Sequence, residues 1–157
     1  MKPKLYMETS VASYLAARTS KDPILAGQQA STRRWWNEKR RNHDIFLSKL
    51  VWQEASKGDK TAAERRLKLI QPFRWLQVTA DVLKVARALV AGKAVPPNAG
   101  DDALHIALGA VSGMQFLLTW NFTHINNPEK EEHIRAICQR QGFHCPVICT
   151  PDQLLSA

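Results

Sequence analysis

The sequence predicts an α/β domain built on a mainly parallel sheet, and three observations lead there. Short apolar runs alternate with amphipathic stretches of helical length. The alternation recurs four times in strand-then-helix order, which favours parallel pairing, because parallel neighbours need a crossover. At 157 residues the chain is long enough for one substantial core, and no linker, internal repeat or low-complexity segment divides it.

Each element has its own signal. Leu5-Tyr6-Met7 reads as a first strand, followed by a short helix from Val11 to Ala17 with Thr9 or Ser10 as its cap. Pro23 after Asp22 starts a long helix reaching about Arg41. Ile45-Phe46-Leu47 is a second strand; two helices, Val51 to Ala55 and Thr61 to Ile70, are parted by Gly58-Asp59 and stopped by Pro72. Trp75 to Val78 reads as a third strand. Val82, Val85, Ala86 and Leu89 share one face of a helix from Asp81 to Ala91 that ends at Gly92. Residues 95–100, rich in Pro, Asn and Gly, form a loop. Asp102 to Val111 is apolar almost all round and is expected to be a buried helix closed by Gly113. A fourth strand from Gln115 to Thr119, a helix from Glu129 to Gln141 and an edge strand from Val147 to Cys149 complete the domain.

Composition narrows the partners. Lys and Arg number 22 against 14 Asp and Glu, a formal charge of +8 with pI near 9.7, and such an excess favours nucleic acid or another polyanion. The N-terminal segment offers no signal-peptide core and no apolar run approaches bilayer length, so the expected compartment is the cytoplasm and no membrane partner is expected. Cys138, Cys145 and Cys149 are an odd number without a Cys-x-x-Cys pair; buried thiols are expected rather than a disulfide framework or a zinc site.

Against this basic background four oxygen ligands stand where strands hand over to helices: Glu8, Glu54, Asp102 and Asn121. At the carboxyl ends of the strands of an open α/β sheet, side chains distant in sequence converge on one crevice. Carboxylates gathered there repel unless a cation lies between them, and all-oxygen ligation suits a hard divalent ion such as Mg²⁺. Such an ion serves phosphodiester hydrolysis, since it yields a nucleophile at neutral pH and absorbs charge on the phosphate.

Leu5-Tyr6-Met7-Glu8-Thr9-Ser10-Val11, then Glu54, then Asp101-Asp102-Ala103-Leu104-His105-Ile106-Ala107, then Leu117-Leu118-Thr119-Trp120-Asn121-Phe122-Thr123-His124-Ile125 together resemble the PIN domain across nearly the whole chain. Within that superfamily the chain is most similar to the VapC-type toxins of bacterial toxin–antitoxin pairs. The resemblance implies a Rossmann-like three-layer α/β/α sandwich, an Mg²⁺- or Mn²⁺-dependent endoribonuclease, a homodimer, and a small antitoxin whose chain occupies the groove and the acidic site. Glu8 stands where the family usually has Asp, and Asn121 where it often has Asp. Asn121 brings a carbonyl oxygen without charge. The other readings are a PIN-fold RNA-binding or regulatory module with little or no nuclease activity and an aspartyl-phosphate phosphatase; the latter lacks an Asp-x-Asp after the first strand.

Around the four ligands, Ser10 is placed to touch a bound water or phosphate or to cap a helix, and Asp101 to cap the next helix or face solvent. His105, one turn on from Asp102, orients that acid or is a satisfied buried histidine; His124 has a place near the substrate. On the long helix Arg33, Asn37, Arg40 and Arg41 share a face while Trp36 turns away. Lys39, Arg40 and Arg41, with Lys49 and Lys57, are expected to steer phosphates.

Overall fold

A computed structural model describes residues 1–155. Its centre is a five-stranded sheet in the order β3-β2-β1-β4-β5, with every pairing parallel. The strands are β1 (Lys4–Met7), β2 (Asp44–Ser48), β3 (Arg74–Leu76), β4 (Phe116–Leu118) and β5 (Val147–Cys149). The helices are α1 (Thr9–Ala16), α2 (Pro23–Lys39), α3 (Lys49–Ala55), α4 (Lys60–Ile70), α5 (Ala80–Ala91), α6 (Gly100–Val111) and α7 (Glu131–Arg140).

Strand order explains the layers. The chain steps from β1 to β2 to β3 in one direction, through α1 to α4, then returns across the sheet and continues to β4 and β5 through α5 to α7. Right-handed crossovers taken in opposite directions place those two helix groups on opposite faces, and each group packs within itself, α1 against α2, α3 and α4, and α5 against α6 and α7. The result is an α/β/α sandwich. Buried on both faces, β1 carries Leu5, Tyr6 and Met7 fully inside, and Leu117 and Leu118 of β4 lie beside them. α6 is buried along most of its length, from Ala103 and His105 to Ala110, as its apolar sequence predicts.

Most boundaries agree with the sequence to within two residues, and the differences have local causes. Arg74 rather than Trp75 opens β3, which ends at Leu76 because only Arg74 to Leu76 finds partners on β2. The helix beginning at Pro23 stops at Lys39, and Arg40–Asn42 form a single 3-10 turn leading into β2. The expected loop at 95–100 contains a second such turn, Pro97–Ala99. Thr9 and Ser10 do not cap α1; Glu8 does, accepting from the Ser10 amide. Gly113 follows α6 at φ +74, a conformation open to glycine without strain.

All three cysteines are free and buried. No helix among the described residues is long and apolar enough to cross a membrane.

Leu117 is the test of this core: it is fully buried on β4, between β1 and β5. Leu117→Ala should cost about 3 kcal/mol, the usual scale for a buried leucine cavity. Urea unfolding should show a lower midpoint with an unchanged slope.

Candidate metal centre

β1 lies where the direction of strand succession reverses, between β2 and β4. In doubly wound sheets the crevice at the carboxyl ends of the strands beside such a point is the place where ligands bind. Glu8 follows β1 there, Ser48 ends β2 and caps α3, and Thr119, Trp120 and Asn121 follow β4. The first turn of α6 brings Asp101 and Asp102.

Glu8 is buried, and three donors hold its carboxylate: the Ser10 amide at 3.1 Å, the Ser10 hydroxyl at 2.5 Å and the Thr119 hydroxyl at 2.7 Å. All three reach the same oxygen, Oε1. Glu54, in the last turn of α3, repeats the arrangement, its Oε1 accepting from the Thr9 hydroxyl at 2.6 Å and from His105 Nε2 at 2.7 Å. Each glutamate is thus fixed through one oxygen, and the other oxygen has no hydrogen-bonding partner among the described residues. Glu8, Glu54 and His105 each have a potential ligand atom, all within 4.8 Å of one another, a grouping that could hold a metal ion and that does not include Asp102.

His105 is fully buried, and both ring nitrogens are engaged. Nδ1 lies 2.7 Å from the Tyr6 hydroxyl, which lies 2.7 Å from Ser48 Oγ. The hydrogen-bond partner of His105 is therefore Glu54, not Asp102 as one-turn spacing suggested. The ring is a satisfied buried histidine with a carboxylate to orient, and an ionised Glu54, being acceptor only, requires Nε2 to donate. Ser48 Oγ also accepts from the Val51 amide, so the chain Glu54, His105, Tyr6, Ser48 runs from the last turn of α3 to its N-cap.

Asp102 is half-buried, and burial raises its carboxyl above the ordinary value; a hydrogen bond from Asn121 and the charges of His105 and His124 act the other way without cancelling it, while Glu8 adds to the rise. Asn121 Oδ1 accepts from the Thr123 and His124 amides at 3.2 and 3.0 Å. The carbonyl oxygen expected to serve as a ligand therefore pins the loop after β4, and the side chain influences Asp102 by favouring its charged form.

The remaining expected residues divide sharply. Ser10 both donates to Glu8 and accepts from the Trp120 amide at 2.8 Å. Asp101 is exposed and α6 has no side-chain cap, so it faces solvent. His124 lies close enough for its charge to act on Asp102. Lys49 immediately follows β2, and the charge of Lys57 is felt at Glu54, so both stand at the carboxyl edge of the sheet. Lys39, Arg40 and Arg41 stand elsewhere: they immediately precede β2, at the amino edge and away from the acids. Nor do charge and apolar surface separate on α2, since the Arg40 guanidinium lies 4.6 Å over the Trp36 ring and Arg33 donates to the Ala17 carbonyl.

Sequence reasoning missed Tyr6, Thr9, Ser48 and Thr119 as parts of the centre. A tyrosine in a central, fully buried strand is a usable signal, because its hydroxyl needs a partner. The hydroxyl residues carried no distinguishing mark, since Ser and Thr at these positions equally suit capping.

The pair has a pH signature. Burial pushes Glu54 up, but the hydrogen bonds from His105 and Thr9, with the charges of His105 and Lys57, outweigh it and leave the carboxyl below its ordinary value. Burial pushes His105 down, yet the bond to Glu54 and the charges of Glu8, Glu54 and Asp102 hold the ring above its usual 6.5. A depressed acid contributes stability that is lost as pH falls through its folded value; a raised histidine contributes stability that is lost as pH rises through its own. The metal-free protein should therefore be most stable between the ordinary values of the two groups, 4.5 and 6.5, and its melting temperature should fall as pH rises above 6.5. Glu54→Gln should flatten that upper limb, measured by thermal unfolding in EDTA.

Neither protein-family models nor curated proteins give a match to this chain.

Proposed function

We propose that this protein is a metal-dependent endoribonuclease of the PIN type, hydrolysing RNA phosphodiester bonds with Mg²⁺ or Mn²⁺, and that it is the toxin of a toxin–antitoxin pair. The observation that carries the reading is the pair of glutamates at the switch point, each held by hydroxyl, amide or imidazole donors through one oxygen while its second oxygen is unengaged among the described residues. Both glutamates therefore keep acceptor capacity at the crevice, in a protein whose net positive charge favours polyanions.

Glu8, Glu54 and Asp102 would hold the ion. When bound, it supplies Lewis acidity, which makes water a competent nucleophile at neutral pH and offsets charge gathering on the phosphate. The chain's own groups do the rest. Ser10, Thr9 and Thr119 fix the directions of the two glutamates, His105 keeps Glu54 ionised, and Asn121 and His124 favour the charged form of Asp102 against its burial. Lys57 and Lys49 at the same edge suit the phosphates on either side of the scissile bond.

The RNA-binding module without nuclease activity draws on a specific observation of its own: the Asn121 oxygen is occupied by backbone amides, which leaves three acids for the ion. The antitoxin and the homodimer belong to the proposal as partners. A groove of about 740 Å³ lined by Trp36, Phe73, Arg40, Arg65 and Lys68 suits an acidic, amphipathic antitoxin segment.

Metal binding has a direct readout. At a hundredfold excess over its dissociation constant, Mg²⁺ or Mn²⁺ should raise the melting temperature of metal-free protein by roughly 5–10 °C. Glu8→Ala, Glu54→Ala and Asp102→Ala combined should remove the rise, and an equal rise in that variant would place the ion elsewhere.

Catalysis is tested at Asp102. Asp102→Asn keeps size and shape while removing charge, so RNA cleavage should drop on the order of a hundredfold or more with little change in fold or RNA affinity. Cleavage of a structured RNA by wild type, Asp102→Asn and wild type in EDTA, together with growth on induction, separates the two readings. No cutting by wild type with either ion leaves the binding module, whereas equal cutting by Asp102→Asn in the presence of the ion takes Asp102 out of the centre.

A further inference from the structure

Trp120, Phe122 and Asn126 of the loop after β4 also line a pocket of about 580 Å³ that includes none of the candidate ligands. Its size is within the usual range for small-ligand sites. Trp120 and Phe122 form its aromatic side, and Gln28, Ser31, Asn126 and Asp152 bring polar groups. We infer that this pocket receives one unpaired nucleobase of the RNA, stacked on Phe122, beside the phosphate held at the acidic centre. The inference rests on the nuclease reading for its substrate class.

Rigidity is the first argument. The Trp120 ring stacks on Tyr14 with centroids 5.5 Å apart and planes 9° from parallel, and its indole nitrogen donates to Thr32 Oγ1 at 2.8 Å. Its amide donates to Ser10 Oγ, the same oxygen whose proton goes to Glu8. The wall of the pocket is thus one hydrogen-bonded residue away from a metal ligand, and a base placed there has a defined position relative to the acids. Phe122 packs edge-on against Trp120, with centroids 6.0 Å apart and planes 79° apart, yet remains 49% exposed. A half-exposed phenyl ring set against a locked indole can serve as a stacking platform, and stacking on an aromatic side chain suits single-stranded nucleic acid.

Charge is the second argument. No cationic side chain lines the pocket, and Asp152, whose carboxylate accepts from the Thr150 hydroxyl, is its one ionised group among the described residues. A phosphate is therefore repelled from it, whereas a base, neutral and carrying N–H groups on its edge, is not. The Asn126 and Ser31 side chains make no hydrogen bond among the described residues and are open to that edge, since the Asn126 backbone amide alone is engaged, with the Asn121 carbonyl.

The experiment uses the full chain in EDTA, where no cleavage occurs, and fluorescence anisotropy of a 5′-labelled RNA heptamer together with versions carrying an abasic residue at each position in turn. On wild type, one abasic position should weaken binding on the order of tenfold and the others little. Phe122→Ala should lose a similar factor on the intact heptamer, Phe122→Trp should recover it, and the critical abasic heptamer should bind wild type and Phe122→Ala alike. Loss of affinity spread evenly over all positions, binding by Phe122→Ala equal to wild type, or no binding of the heptamer at all would overturn the inference. Binding through Phe122 without cleavage in Mn²⁺ would sink the nuclease reading and leave the pocket; cleavage by Phe122→Ala with an unchanged KM would sink the pocket and leave the nuclease.

Discussion

The buried chain of hydrogen bonds from Glu54 through His105 and Tyr6 to Ser48 is the constraint on which the site depends. It joins β1, β2, α3 and α6, four elements that meet at the centre of the domain, and Tyr6, Ser48 and His105 are buried there. There a polar group without a partner costs far more than a satisfied one gains. The four side chains therefore hold their positions collectively. Removing any one exposes its neighbours to that penalty, and loss of His105 would leave Glu54 with the Thr9 hydroxyl alone.

Electrostatics sets the centre against the rest of the molecule. A chain with a formal charge of +8 concentrates acids at the carboxyl edge of its sheet. Hydroxyl and imidazole donors hold Glu8 and Glu54 in place, but Asp102 stays above its ordinary value because burial outweighs its favourable neighbours. A cation is the natural complement to that arrangement, since it lowers the cost of keeping several carboxylates ionised together. The basic residues are divided between the two edges of the sheet. Lys49 and Lys57 stand beside the acids, whereas Arg40 is engaged with Trp36 at the opposite edge.

Much of this is legible in the sequence alone. The apolar runs locate every strand, and the alternation with helices foretells parallel pairing, because both follow from burial of the sheet on two faces. Boundaries slip where polar residues extend a strand through backbone pairing alone, as at Lys4, Asp44 and Ser48. The acids are visible as oxygen ligands at strand ends. Their partners are not: the attachment of His105 to Glu54 depends on how α6 lies against β1 and α3, which no spacing along one helix encodes. The Asn121 oxygen misleads for a related reason, since a loop that turns sharply supplies its own amides to the nearest acceptor.

Parallel topology also governs the order of assembly. Glu8 and Thr119 are bonded across 111 positions of sequence, the same span that separates β1 from its neighbour β4. Closing so long a loop is slow relative to local helix formation, and contacts of this range come late in folding. A chain still being synthesised carries Glu8 and Glu54 long before it carries the strand that aligns them. The acidic centre therefore assembles only once residues through Asn121 are free to pair, and a partially made chain has the acids without the arrangement.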